Sequence, residues 1–130
     1  MTNLHTLVVD DSFEFLVAAV RSLAPHFEVV DIAFSGYGAI EQINRSPPDV
    51  VLLDLVMPTM NGLETTRKIK MRPNAPSVII ITLYDTPQYR EAAEAAGADG
   101  FLRKSDVGTK LLPMIQELFP GRVATAASAG

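Results

Sequence analysis

Short apolar runs rich in β-branched residues alternate along this chain with segments of helical periodicity. The runs read LHTLVV, EVVDIA, DVVLL, SVIII and GFLR in chain order, the second covering about Glu28–Ala33. Runs of about four to eight such residues, bounded by turn signals, are typical of strands buried on both faces of a parallel sheet. Alternating strands and helices predict an α/β fold, a doubly wound five-stranded parallel sheet with helices on both faces.

Capping residues, prolines and glycines mark the helix boundaries. The predicted helices are Phe13–Leu23 after the cap Ser12, a second from Ser35 to the stop at Ser46-Pro47-Pro48, Gly62–Met71, a fourth from Thr86-Pro87 to Gly97, and a last that begins near Ser105. Gly108 and Pro113 both lower the helix propensity of the last segment, and an interior proline kinks or breaks a helix.

Polar side chains stand directly after four of the predicted strands. Asp10 and Asp11 follow the first strand, Asp54 the third, Thr82 the fourth and Lys104 the fifth. In an open parallel sheet, ligands bind in the crevice outside the carboxyl ends of the strands. The sequence therefore predicts that three acids, a hydroxyl and an amine meet at one edge of the sheet.

The three carboxylates repel one another, at a cost of roughly 1–4 kcal/mol for each pair at about 4 Å. A hard divalent cation such as Mg²⁺ removes the conflict, because it prefers oxygen ligands and binds carboxylates together with phosphate oxygens. An ammonium and a hydroxyl beside such a metal suit a phosphoryl group. Asp54 is a candidate nucleophile, since carboxylates form aspartyl-phosphates in other enzymes.

Taken alone, each of these residues has a purely structural interpretation. An Asp-Asp pair after a strand is often a turn and a helix cap, Thr82 alone fits an ordinary strand residue, and Lys104 alone fits a solvated charge. The conjunction favours function, because the acids, the hydroxyl and the amine follow the right strands in order. The loop Met57-Pro58-Thr59-Met60-Asn61-Gly62 after Asp54 belongs to the same conjunction.

This conjunction resembles the receiver domain of two-component response regulators, over about Leu4 to Phe119. The family pattern is an acidic pair after the first strand, an Asp followed by xxMPxMxG after the third, a Thr or Ser after the fourth and a Lys after the fifth. The resemblance implies a flavodoxin-like strand order of 2-1-3-4-5. It also implies that Asp54 accepts a phosphoryl group from a phosphohistidine on a sensor histidine kinase.

The resemblance further implies how Mg²⁺ is held and how the site responds. Asp11, Asp54 and the backbone carbonyl of Val56 would ligate the ion, with Asp10 acting largely through water. Of the remaining site residues, Lys104 would hold one phosphoryl oxygen and Thr82 would shift to bind another.

The aromatic switch of the family falls on Phe101, three residues before the lysine. Its repacking is expected to alter the face formed by the fourth helix, the fifth strand and the fifth helix, where Tyr89, Arg90, Glu94 and Arg103 also lie. This face is the expected site of homodimerisation or of an output partner.

Val56 and Tyr84 each lie two residues beyond an active-site residue and are predicted to flank the path of the hydrolytic water. Val56 has no group to orient that water, and the Tyr84 ring is placed to cover the phosphoryl group. Leu83 adds bulk nearby, which should limit the inward turn of Phe101. These residues predict a comparatively long-lived phosphorylated state, unless the Tyr84 hydroxyl itself holds the water.

The composition of the chain agrees with this interpretation and excludes some other classes of function. The 130 residues include 15 acids and 11 lysines and arginines, a net charge of −4 that argues against direct nucleic-acid binding. The basic group Arg67, Lys68, Lys70 and Arg72 is interpreted as a solvated helix face. The chain has no cysteine, which excludes disulfides and thiolate metal sites and fits a reducing compartment.

The expected domain organisation is a receiver over residues 1–119 and a flexible tail or linker remnant over 120–130. The start of the chain lacks the pattern of a signal peptide, and no apolar run is long enough to span a membrane. A cytoplasmic location is therefore expected.

The preferred interpretation is a signalling switch that catalyses its own phosphoryl transfer and dephosphorylation. The alternative is a receiver-like interaction module that binds partners without using phosphate. A haloacid-dehalogenase-type phosphatase is disfavoured, because that family needs a second acid two residues after the nucleophile, where Val56 stands.

Overall fold

The predicted strands and helices all form in the computed structural model, which describes residues 2–121. The strands are β1 Thr2–Val9, β2 Phe27–Ala33, β3 Val50–Asp54, β4 Ser77–Thr82 and β5 Gly100–Arg103. The helices are α1 Phe13–Leu23, α2 Gly36–Arg45, α3 Gly62–Lys70, α4 Pro87–Ala96 and α5 Val107–Leu118, the last preceded by a 3₁₀ turn over Lys104–Asp106. All strands are parallel, in the order β2-β1-β3-β4-β5, so the predicted fold class and strand order are confirmed.

The sheet buries both of its faces, as the continuous apolar runs require. Leu52 and Ile79 pack with α1 and α5 on one face, whereas their neighbours Leu53 and Ile80 pack with α2, α3 and α4 on the other. Each fully buried side chain of this size contributes roughly 1.5–3 kcal/mol. Two apolar layers therefore fix the sheet between the helices and hold its carboxyl edge in place.

The helix starts follow the capping chemistry that the sequence suggests. Ser12, Ser35, Asn61 and Thr86 each accept a hydrogen bond from the backbone N–H three residues later. Such a cap is worth about 1 kcal/mol. Gly97 ends α4 in the left-handed conformation, with φ of 100°, which a residue with a side chain adopts only under strain.

The last helix is the element that departs most from the sequence-based prediction. It begins at Val107 rather than near Ser105, because the 3₁₀ turn comes first. It also runs through Pro113 without a break. An interior proline costs about 3 kcal/mol, but Pro113 is exposed while Leu111 and Ile115 are fully buried against the sheet. Tertiary packing therefore outweighs the local propensity here.

Two other expectations concern the ends and surface of the chain. No helix among residues 2–121 is both long and apolar enough to cross a membrane. Most of the predicted tail, residues 122–130, lies outside the described residues, and that prediction stays a prediction.

Candidate functional site

Three carboxylates converge at the carboxyl edge of the sheet. Asp10 and Asp11 follow β1 and Asp54 ends β3, and these two strands are neighbours in register. One oxygen of each carboxylate lies within 4.8 Å of the others. Asp10 and Asp54 are buried and Asp11 is exposed, so the cluster opens to solvent on one side.

The two oxygens of Asp10 have different surroundings. Its Oδ1 accepts a hydrogen bond from the Ser12 backbone N–H at 2.8 Å. Its Oδ2 is buried and lies 2.7 Å from Lys104 Nζ, yet it accepts no hydrogen bond of acceptable direction from residues 2–121. This oxygen therefore has a charge partner but keeps its capacity to accept from a water or another donor.

Lys104 supplies the positive charge of the site. Its Nζ lies 3.7 Å from Asp54 Oδ1 in addition to its contact with Asp10. The ammonium also lies over the ring of Phe15, with 4.4 Å between Nζ and the ring centroid. It therefore contacts two carboxylates and an aromatic face.

The excess of negative charge appears in the pKa of Asp54, which rises from 3.8 to about 6. Burial is the largest cause and repulsion by Asp10 the next, while Lys104 and a hydrogen bond from the Val56 backbone N–H work in the opposite direction. One ammonium does not balance three carboxylates. An oxygen-lined, anionic cluster with one exposed member fits Mg²⁺, which keeps several waters and takes one or two carboxylates from protein.

The loop after Asp54 is packed tightly against the end of β3. The Gly62 N–H donates to the Leu55 carbonyl at 2.8 Å. A Cβ at position 62 would collide with the Asp54 carbonyl oxygen and lie 2.8 Å from Leu55 Cα, so the close approach requires glycine. Met57 and Met60 are both buried, which anchors the loop to the core.

Thr82 ends β4 and is fully buried at the floor of the site. Its Oγ1 accepts a hydrogen bond from the Tyr84 backbone N–H at 3.0 Å. Because a hydroxyl can donate and accept at once, the Thr82 O–H is still able to donate to an incoming oxygen.

A cavity of about 250 Å³ unites the predicted site residues, with one exception. It is lined by Asp10, Asp11, Ser12, Asp54, Val56, Thr82, Leu83, Tyr84 and Lys104. Leu83 and Tyr84 are 70% and 56% exposed, so they form the outer rim rather than the floor. Their predicted influence on Phe101 and on hydrolysis stays a prediction.

Phe101 is the exception and lies beyond this cavity, packed at the margin of the core beneath α4. The guanidinium of Arg90 stands over its ring at 4.9 Å from the centroid. Arg90 also forms a two-point hydrogen bond to Asp85, at 2.5 and 2.9 Å. This pair lowers the pKa of the Asp85 carboxyl.

The sequence predicted Arg90 to lie near Phe101. It did not predict two other contacts: that of Asp85 with Arg90, and that of Phe15 with Lys104. For Asp85, the available signal was an acid one residue before the cap Thr86, at the loop that joins β4 to α4. For Phe15, the signal was its place in the first turn of α1, directly after the acidic pair.

Residues 6–116 of this chain match the family model of the response regulator receiver domain. The chain therefore belongs to that family. The transcriptional regulatory protein DegU of Brevibacillus brevis is 31% identical over 120 residues, which cover 91% of this chain and 51% of DegU. The chemotaxis protein CheY of Halobacterium salinarum is 37% identical over 101 residues, which cover 77% of this chain and 83% of CheY.

Solved structures agree with the sequence comparison. A two-component response regulator of the LuxR family from Aurantimonas sp. superposes with a TM-score of 0.85 at 27% identity, covering 96% of this chain and 91% of that one. The chain thus spans about half the length of DegU and most of the length of CheY and of the Aurantimonas protein.

Proposed function

We propose that this chain is a phosphorylation-operated switch of a two-component system, which accepts a phosphoryl group on Asp54 from a sensor histidine kinase in the cytoplasm. The observation that carries the proposal is the convergence of Asp10, Asp11, Asp54, Thr82 and Lys104 in one cavity. Membership of the receiver family gives this cavity its expected chemistry.

The proposed reaction is a displacement at phosphorus. An oxygen of the Asp54 carboxylate bonds to the phosphorus of a phosphohistidine while the phosphorus–nitrogen bond breaks, and the bonding electron pair stays on the imidazole nitrogen. The carboxylate must be ionised to attack. With a pKa of about 6, Asp54 is mostly ionised at neutral pH even before a cation binds.

Asp11, Asp54 and the Val56 carbonyl would hold Mg²⁺, with Asp10 contributing through water. The bound ion would neutralise charge on the carboxylates and on the phosphoryl oxygens. The exposed position of Asp11 and the buried, incompletely bonded Oδ2 of Asp10 support this arrangement.

Lys104 and Thr82 would receive the phosphoryl oxygens. Lys104 Nζ lies 1 Å closer to Asp10 than to Asp54, at 2.7 against 3.7 Å, so a new anion on Asp54 would draw the ammonium across a short distance. The Thr82 hydroxyl would donate to a second oxygen while it still accepts from Tyr84. Charge-assisted hydrogen bonds of this kind are the stronger class.

The output would pass through Phe101. Its ring is covered by Arg90, which Asp85 holds in place from the β4–α4 loop that begins after Thr82. A shift of Thr82 toward the phosphoryl group would move that loop, weaken the Arg90 cover and let Phe101 repack. The α4, β5 and α5 face would then bind a second copy or an output partner.

Mass spectrometry after incubation with acetyl phosphate and Mg²⁺ tests the chemistry. We expect the wild type to gain one phosphoryl group, and expect this gain to vanish with a chelator and in Asp54→Asn. Asp99→Asn is the matched control, because Asp99 is a carboxylate at the opposite edge of the sheet, and it should be phosphorylated like the wild type. Phosphorylation of Asp54→Asn at the wild-type level would refute the assignment.

A second measurement tests the output. Sedimentation of the protein with and without beryllofluoride, a phosphoryl mimic, should show self-association or the gain of a partner through the α4, β5 and α5 face. A wild type that takes no phosphoryl group but still binds partners would favour the phosphate-independent module instead.

A further inference from the structure

The side chain of Lys104 is mostly buried, and its ammonium has close contacts with charged and aromatic groups. Its side chain is only 14% exposed, with Asp10 Oδ2 at 2.7 Å and Asp54 Oδ1 at 3.7 Å on one side. The ring of Phe15 also lies near the ammonium, 4.4 Å from Nζ to the ring centroid. The close contacts of this charge thus include two carboxylates and one aromatic face.

An aromatic face differs from an aliphatic side chain in what it offers a cation. The ring quadrupole places negative potential over the face, which attracts a cation within about 6 Å, and the attraction grows when the cation is removed from water. An aliphatic residue at the same place would exclude water from Lys104 without replacing the lost solvation. A shift of about 1 Å from Asp10 toward Asp54 would still leave the ammonium within about 6 Å of the ring centroid, which is the range of this attraction.

Packing alone does not account for an aromatic residue at this position. The residues of α1 that bury their side chains in the core are Leu16, Ala19 and Leu23, and Phe15 lies only at the margin of that core. The contact with Lys104 is the feature that leucine cannot reproduce.

We infer that Phe15 is a positioning residue for Lys104, which keeps the ammonium over the ring and ready to receive a phosphoryl oxygen on Asp54. The inference rests on the proposed function, since it assigns Phe15 a part in the binding of the phosphoryl group. Phe15 acts through Lys104 and contributes nothing to the cluster of carboxylates.

The test is the affinity for beryllofluoride in saturating MgCl₂, measured beside the affinity for Mg²⁺ alone. We expect Phe15→Leu to bind beryllofluoride about fivefold more weakly, which is about 1 kcal/mol at 1.4 kcal/mol per tenfold. Its Mg²⁺ affinity should stay within about twofold of wild type, because the carboxylates are untouched. Phe15→Tyr keeps the aromatic face and should bind beryllofluoride about as tightly as the wild type.

Two controls separate positioning from packing. Phe13→Leu changes the same residue type on the same helix, at a side chain that is 64% exposed, and should bind beryllofluoride like the wild type. In a Lys104→Met background, Phe15→Leu should have no further effect, since the ammonium is gone. Phe15→Met replaces Phe15→Leu in the comparison if circular dichroism shows the leucine variant to be unfolded.

Three results would overturn the inference: wild-type affinity in Phe15→Leu, no rescue by Phe15→Tyr, or an equal loss in the Lys104→Met background. Failure of the proposed function would look different, because the wild type itself would then bind no beryllofluoride. That result would overturn the function and this inference together.

Discussion

The two edges of the sheet differ in whether their acidic and basic side chains balance one another. At the amino edge, Lys70 Nζ lies 2.7 Å from Asp99 Oδ2 and also donates to the Pro76 carbonyl at 3.0 Å. The same Asp99 oxygen accepts from the Val78 N–H at 2.8 Å. One carboxylate is paired with one ammonium here. The carboxylate also accepts a backbone hydrogen bond, and the ammonium also donates one.

At the carboxyl edge the numbers do not balance. Asp10 and Asp54 both lie beside the ammonium of Lys104, Asp11 adds a third carboxylate to the cluster, and the pKa of Asp54 rises to about 6 as a result of burial and repulsion. The Lys70–Asp99 pair is balanced in charge, which is typical of a pair that contributes to stability. The carboxyl edge carries an excess of negative charge, which favours a role in binding a cation.

The largest expected effect is a gain in stability when Asp54 is neutralised in metal-free protein. The pKa of Asp54 is about 6 in the folded chain against an ordinary 3.8, so the folded state binds this proton more tightly and loses stability as pH rises from about 4 to about 6. Asp54→Asn should avoid the loss and be more stable at pH 7 by up to about 3 kcal/mol.

Chemical denaturation in the presence of a chelator, at pH 4 and at pH 7, measures this difference. The advantage of Asp54→Asn should be small at pH 4, because the folded wild type is still almost fully protonated at this group and most of the loss of stability occurs at higher pH. Equal stability of the two proteins at pH 7 would contradict the account of the site as a charge excess.

Added Mg²⁺ should stabilise the carboxyl edge and leave the amino edge unaffected. At ten to a hundred times its dissociation constant, a ligand of the folded state adds about 1–3 kcal/mol. Thermal unfolding with and without MgCl₂ should show this gain in the wild type and in Asp99→Asn. Asp11→Ala, which loses a proposed ligand, should gain clearly less, and an undiminished gain would remove Asp11 from the metal site.

Breaking the amino-edge pair should cost stability and nothing else. Lys70→Met leaves Asp99 with its Val78 hydrogen bond but without its counter-ion, at a partly exposed position, so we expect a loss of about 1 kcal/mol. Lys68→Met changes an exposed lysine two residues earlier and should be nearly neutral. Both variants should take up a phosphoryl group from acetyl phosphate like the wild type; impaired uptake in Lys70→Met would link the two edges.

The smallest expected effects concern the lifetime of the phosphorylated state. Val56→Asn would add a group able to orient water, and Tyr84→Ala would open the rim of the cavity. Each should accelerate dephosphorylation by about two- to fivefold, less than about 1 kcal/mol on the barrier. If neither variant loses its phosphoryl group faster than the wild type, the idea that these side chains protect it is wrong.

The features that sequence could predict were those set by short-range patterns. The buried runs gave the strands, and Ser12, Ser35 and Thr86 gave helix starts, since a cap acts within one turn. The strand order then brought the residues at the end of β3 and β4, and those just after β1 and β5, to one edge.

Contacts between distant segments could not be predicted in the same way. Lys70, expected on a solvated helix face, is half-buried and paired with Asp99, 29 positions away. The rings over which Lys104 and Arg90 lie depend on side-chain directions of separate elements. The unbroken α5 depends on burial of Leu111 and Ile115, which outweighs the local effect of Pro113.

The close contact of Gly62 with the end of β3 predicts a directional response. Because the α3 start packs directly on the Asp54 and Leu55 backbone, we expect a perturbation at the Asp54 carboxylate to spread toward β4 and β5 rather than toward α2 and α3. In an NMR spectrum the amide signals around Leu83 and Phe101 should then shift on activation, while those of Ile43 and Ile69 stay in place. Only one side of the sheet would then transmit the change, and the unshifted signals of α2 and α3 would serve as an internal reference.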